Sequence, residues 1–184
     1  MSKARLILIA APSGAGKNSF MERALADFPK LKDVITYTTR SPRVGEDPNA
    51  YHFITYEKFQ AFIEKDFFVE WAHVHNSLYG ISRQSLEETW ADGQVAIMDI
   101  DIQGVEKLKS LYPDAVSIFI LPPSIEELRK RILARDKQAP ANLELRLENA
   151  RKEISQADRY DYQLVNDDFE ESYARFKKIV EELL

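Results

Sequence analysis

Cysteine is absent from this chain of 184 residues. That removes disulfides, thiol nucleophiles and thiolate metal sites. Histidine is scarce, with only His52, His73 and His75, few for a histidine-built metal centre. No apolar run approaches the ~20 residues that a membrane span requires. The opening run MSKARLILIAAPSG meets a small-residue turn too soon to be a signal peptide, so no membrane association is expected. Positive charge is also in deficit: the net charge is −5, which argues against a diffuse nucleic-acid-binding surface, although a small cationic pocket can exist on an acidic protein. The lack of disulfides suits a reducing cytoplasm, and a cytoplasmic location is expected. The length allows one good hydrophobic core and is short for two.

What is present alternates. Arg5–Ala10 is a short continuous apolar run, the mark of a strand buried on both faces. Asn18–Phe28 follows with apolar residues at helical spacing. Further along, strands are predicted at Gln94–Ile100, Ala115–Leu121 and Tyr162–Val165. Helices are predicted at Gly104–Tyr112, Ser124–Arg135, Asn142–Asp158 and Phe169–Leu184. This order predicts an α/β fold with a parallel sheet flanked by helices. The middle differs, with strands at Tyr51–Phe53 and Phe67–His75 around a helix at Tyr56–Lys65. Residues 34–82 are therefore expected to form an inserted, small, mixed-β subdomain, with 1–33 and 83–184 as the core. Lys137–Asn142 interrupts two helices and is expected to be a mobile loop within a lid spanning roughly 131–146.

Between the first strand and the first helix stands Ala11-Pro12-Ser13-Gly14-Ala15-Gly16-Lys17-Asn18-Ser19. A glycine-bearing loop in that position is the context of a phosphate-binding P-loop. Gly14 and Gly16 let backbone N–H groups curl toward a phosphate, the helix N-terminus adds positive dipole, and Lys17 can reach the β- and γ-phosphates. Ser13, Gly14, Ala15, Gly16, Lys17, Asn18 and Ser19 are the candidate ATP-binding residues; the plainer reading is a tight strand–helix turn. Two positions depart from the usual pattern. Ala11 replaces a glycine and is tolerable if its φ is negative. Asn18 replaces the hydroxyl residue that normally holds Mg²⁺ and offers a carbonyl oxygen instead.

At Thr36-Tyr37-Thr38-Thr39-Arg40-Ser41-Pro42-Arg43-Val44-Gly45-Glu46 the chain resembles the guanylate kinase family. The likeness continues through Tyr51-His52-Phe53, Phe68-Val69-Glu70-Trp71-Ala72, Leu78-Tyr79-Gly80, Met98-Asp99-Ile100-Asp101-Ile102-Gln103-Gly104, Leu121-Pro122-Pro123-Ser124 and Val165-Asn166-Asp167-Asp168. The resemblance implies a P-loop nucleoside-monophosphate kinase with a GMP-binding insert and a helical lid. Its expected activity is ATP-dependent phosphorylation of GMP and dGMP, with Mg²⁺ accompanying ATP and ATP and GMP as small-molecule partners. Monomer and homodimer are equally open.

The resemblance also implies roles. Arg40 and Arg43, around a proline turn, would grip the GMP phosphate as bidentate guanidinium groups do, with hydroxyls from Tyr51 and Tyr79. Glu70 lies inside an apolar strand, where a carboxylate needs partners; guanine N1–H and N2–H₂ would supply them, and Asp101 would help at the same edge. Thr36 keeps a hydroxyl where the family has serine. Ile81 stands where the family has a donor to guanine O6 and cannot donate, which predicts weakened GMP binding unless Ser82 or water replaces the contact. Asp99 ends an apolar strand in the position that reaches Mg²⁺ or its waters, so Asn18 and Asp99 are the candidate metal ligands. Arg131, Arg135 and Arg146 would join Lys17 and Arg40 around the migrating phosphoryl. Asn166 resembles a residue near the adenine. Against these stand plainer readings: turn and helix arginines in solvent, tyrosines at a core edge, and carboxylates at a strand end or edge. Two other functions fit parts of the pattern. One is a non-enzymatic guanylate-kinase-like module that binds a nucleotide or phosphorylated partner. The other is a related kinase with a ribose-phosphate acceptor.

Overall fold

A computed structural model describes residues 5–42, 45–74, 76–136 and 142–184, without the side chains of Arg135 and Asp136. Arg43, His75 and residues 137–141 of the predicted loop Lys137–Asn142 lie outside the described residues.

Strand β1 (Leu6–Ala10) is buried along its whole length. Alternation sends Leu6, Leu8 and Ala10 to one face, where they join one core cluster, and Ile7 and Ile9 to the other. A strand with two apolar faces has to sit in the middle of a layered fold, and β1 is the central strand of five. The order is β2 (Leu31–Asp33), β7 (Val95–Asp99), β1, β8 (Val116–Leu121) and β9 (Tyr162–Val165), all parallel. On one face the core is closed by α3 (Arg83–Ala91) and α4 (Ile102–Leu111), and on the other by α1 (Lys17–Asp27) and α7 (Phe169–Leu183). Removing each such side chain from water contributes about 1.5–3 kcal/mol.

A second sheet is built from residues 37–82, in the order β4 (His52–Phe53), β3 (Tyr37–Thr38), β6 (Ser77–Ser82) and β5 (Phe68–Val74). Helix α2 (Tyr56–Glu64), capped by the Thr55 hydroxyl, covers one face through Phe59. Gly80 is needed there, because a Cβ would meet the Phe68 and Phe59 rings at 2.8–2.9 Å. A third small core joins α5 (Ile125–Asp136) to α6 (Leu143–Ile154) through Leu128, Ile132, Leu147 and Ala150.

The alternating core agrees with the sequence reading to within a residue or two at most ends. The predicted helix Asn142–Asp158 is shorter: α6 stops at Ile154 and a separate 3₁₀ turn, Ala157–Arg159, follows. Four elements had no counterpart in the sequence reading: β2, β3, β6 and α3.

Candidate active site

The P-loop is drawn by two glycines in the left-handed region, Gly14 and Gly16, both at φ +98°. Gly16 is the residue before α1, so the turn into the helix places Lys17 at the helix N-terminus. A side chain at 16 would also strike the Asn166 amide, 2.6 Å from an added Cβ. Ala11 is absent from the positive-φ residues, which meets the condition for an alanine there. Beneath the loop the buried Asn166 donates from Nδ2 to the Ala15 carbonyl at 2.8 Å. That places Asn166 as a brace of the loop. Ser13, Asn18 and Ser19 are exposed.

Lys17 Nζ is ion-paired with the Asp99 carboxylate at the carboxyl end of β7. A parallel sheet gathers strand ends there, so the P-loop after β1 and Asp99 at the end of β7 face the same crevice. Among the described residues no cluster of three or more His, Asp or Glu side chains could hold a metal ion unaided. The chemistry of the two candidate ligands, the Asp99 carboxylate and the Asn18 amide oxygen, would suit an ion that keeps phosphate and water ligands, as magnesium does.

A cavity of about 210 Å³ runs from Lys17 and Asp99 to the second sheet, lined also by Ala11, Thr36, Tyr51, Glu70, Ala72, Val74, Tyr79, Gly80, Ile81, Ile100 and Asp101. Five of the seven predicted GMP-site residues are thus brought together: Thr36, Tyr51, Glu70, Tyr79 and Asp101. Glu70 faces the cavity because of a β-bulge. The register shifts between Phe68 and Glu70, so Phe68 pairs with Ser82 and Glu70 with Ile81. Phe68 stacks on Phe59 of α2, centroids 4.5 Å apart, and Glu70 two residues on points to the opposite face. Burial pushes the Glu70 carboxyl above its ordinary range, opposed by Lys107, whose Nζ lies 3.2 Å from Oε1. Burial, with the nearby Asp99 carboxylate, pushes Tyr51 up to about 12, so its hydroxyl stays a donor near neutral pH.

Arg40 is held by Glu46, Nη2 and Nη1 donating to the two carboxylate oxygens at 2.7 and 2.9 Å. The guanidinium also lies 5.2 Å from the Tyr51 ring centre. Asp101 caps α4, its Oδ1 accepting from the Gly104 N–H at 2.8 Å. Ile81 is buried, 2% exposed. Ser82 caps α3, its hydroxyl oxygen accepting from the Ser85 N–H at 3.2 Å, and it lies on the face opposite Ile81, which leaves it poorly placed to replace the missing donor.

Arg131 bonds to Glu127 one turn earlier and reaches the Asp167 carbonyl at 3.4 Å. Arg146 lies in the first turn of α6, half-buried. The Arg135 side chain and all of Arg43 lie outside the described residues. Sequence reasoning gave no role to Glu46 or Lys107. Glu46 sat inside a motif already quoted, six residues after Arg40. Lys107 carried no local signal, since its partner lies 37 positions away.

A guanylate kinase family model matches residues 3–183. The chain is 56% identical over 183 residues to the guanylate kinase of Bdellovibrio bacteriovorus, covering 99% of both chains. It is 42% identical over 177 residues to that of a Polaromonas species, covering 95% of this chain and 85% of the relative. The crystal structure of guanylate kinase from Anaplasma phagocytophilum superposes with a TM-score of 0.77 at 32% identity, covering 99% of this chain and 87% of that one. With a site of this layout and kinship along its whole length, the chain belongs to the guanylate kinase family.

Proposed function

We infer that this protein transfers the terminal phosphoryl group of ATP to GMP, giving ADP and GDP. The observation that carries this reading is one cavity that has Lys17 and Asp99 at one end and Glu70 at the other. Such a cavity suits two nucleotides meeting phosphate to phosphate. The P-loop N–H groups and Lys17 hold the ATP phosphates. Glu70 accepts from guanine N1–H and N2–H₂, with Asp101 at the same edge, while adenine offers no donor at N1. Thr36 lines the same end. Arg40, Arg43, Tyr51 and Tyr79 hold the acceptor phosphate.

A GMP phosphate oxygen attacks the γ-phosphorus in line, and the bond to the β–γ bridging oxygen of ATP breaks. The acceptor is already an anion, so no general base is required. Charge on the migrating group is met by Lys17 with Arg131, Arg135 and Arg146. Asp99 and Asn18 would hold magnesium arriving with ATP, which would supply charge neutralisation on the phosphates. Residues 34–82 serve as the acceptor-binding part and residues of roughly 131–146, from the end of α5 to the start of α6, as the lid. Closure of both over the substrates would exclude water and limit ATP hydrolysis.

ADP release from ATP and Mg²⁺ should depend on GMP, with AMP and no acceptor as controls. Comparable turnover of AMP and GMP would overturn the assignment of Glu70. Release with ribose 1,5-bisphosphate and not GMP would mark the related ribose-phosphate kinase. GMP binding without any release would mark a non-enzymatic module.

A further inference from the structure

Glu70 is an awkward residue for a binding pocket to keep charged. Its side chain is 5% exposed, and a carboxylate that loses water without gaining donors takes up a proton. A protonated Glu70 would present one O–H donor to an edge of guanine that is itself donating, and recognition would fail.

The compensating charge comes from the other sheet's helix layer. Lys107 on α4 reaches across to β5, donating to Glu70 Oε1 at 3.2 Å and to the Trp71 carbonyl at 3.1 Å. Two bonds to adjacent residues fix the ammonium over one point of the edge strand. One turn earlier on α4, Gly104 leaves room for the Ile100 side chain, which would lie 2.4 Å from a Cβ there. The ammonium uses Oε1 alone, and each carboxylate oxygen has two lone pairs, so guanine can still be received by the same group.

We propose that Lys107 is a positioning residue for GMP recognition, holding Glu70 ionised and aimed into the pocket from outside it. This rests on the assignment of Glu70 to guanine made above. Two charged groups act on Glu70. Lys107 of α4 favours the carboxylate, and Asp101 at the start of the same helix opposes it, in the same sense as burial. Lys107 itself is 58% exposed, so replacing it leaves the core intact.

The test compares the intact protein with Lys107→Met and Lys107→Arg in steady-state assays at a series of pH values from mildly acid to mildly alkaline. For Lys107→Met, KM for GMP should rise about tenfold while KM for ATP and kcat change little. The acid limb of kcat/KM for GMP should move to higher pH by about one unit. The second ionisation of the GMP phosphate is common to all variants and drops out of the comparison. Lys107→Arg should recover most of both effects. If the methionine variant matches the parent in KM for GMP and in the acid limb, Lys107 has no such role. If the parent itself shows no GMP-dependent turnover, it is the assignment of the reaction that fails.

Discussion

The Glu46 carboxylate takes both terminal nitrogens of Arg40, and neither partner is well exposed: 17% of the Arg40 side chain and 16% of Glu46 meet solvent. The arginine that would grip the acceptor phosphate is therefore presented in a fixed orientation, its fork pinned on one side and its plane close to the Tyr51 ring. Phosphate then completes a coordination already half made, and less side-chain freedom is lost on binding. Glu46→Gln keeps the shape and removes the charge. It should cost about 2 kcal/mol in urea unfolding and raise KM for GMP without altering KM for ATP. An unchanged KM for GMP would show that Arg40 needs no such orientation.

Ile81 lies directly across the strands from Glu70, so its side chain flanks the guanine edge that Glu70 would hold. A hydroxyl there could donate to O6, which isoleucine leaves without a partner. Ile81→Thr should lower KM for GMP by about tenfold. It should also lower stability by about 1–2 kcal/mol, because residue 81 is packed in the core as well as against the cavity. Calorimetry and GMP titration together check both signs. A variant that loses stability and gains no affinity would mean that water or a backbone group already serves O6.

The raised Glu70 carboxyl carries a stability consequence. Its folded-state pKa lies above the unfolded value, so the folded protein holds the proton more tightly. Stability from this group is present below the unfolded pKa and is lost as pH rises through the folded pKa. At pH 7 the ionised, buried group is a net burden on the ligand-free fold. Glu70→Gln should therefore raise the melting temperature of the ligand-free protein at pH 7, and the gain should shrink toward pH 4. The same variant should lose its preference for GMP over AMP. A lower melting temperature at pH 7 would show that the bond from Lys107 outweighs the cost of burial.

Sequence patterning revealed the parts whose physics is local. β1 reads as buried because all of its residues are apolar, and the P-loop reads as a phosphate cradle because glycine spacing and strand–helix context coincide. β2 and β3 are too short, at 3 and 2 residues, to show a period. β6 is interrupted by Gly80, whose reason is a ring on the neighbouring strand. α3 buries only Leu86 and Thr89 and so has almost no apolar stripe. The same division holds in the site. Glu70 and Asp99 stand out as carboxylates in apolar runs, whereas the partners that set their behaviour, Lys107 and Lys17, are brought to them by the fold.

The bulge in β5 gives substrate choice an arithmetic basis. Facing in a strand depends on counting by twos, and the extra residue between Phe68 and Glu70 resets that count. Were residues 68 to 70 paired one to one with β6 instead, Glu70 would share the face of Phe68 and its carboxylate would turn into the aromatic packing beneath the sheet. The proposed choice between purines thus rests on a slip of register, and a change that irons out the bulge while keeping all three residues would undo it without touching Glu70.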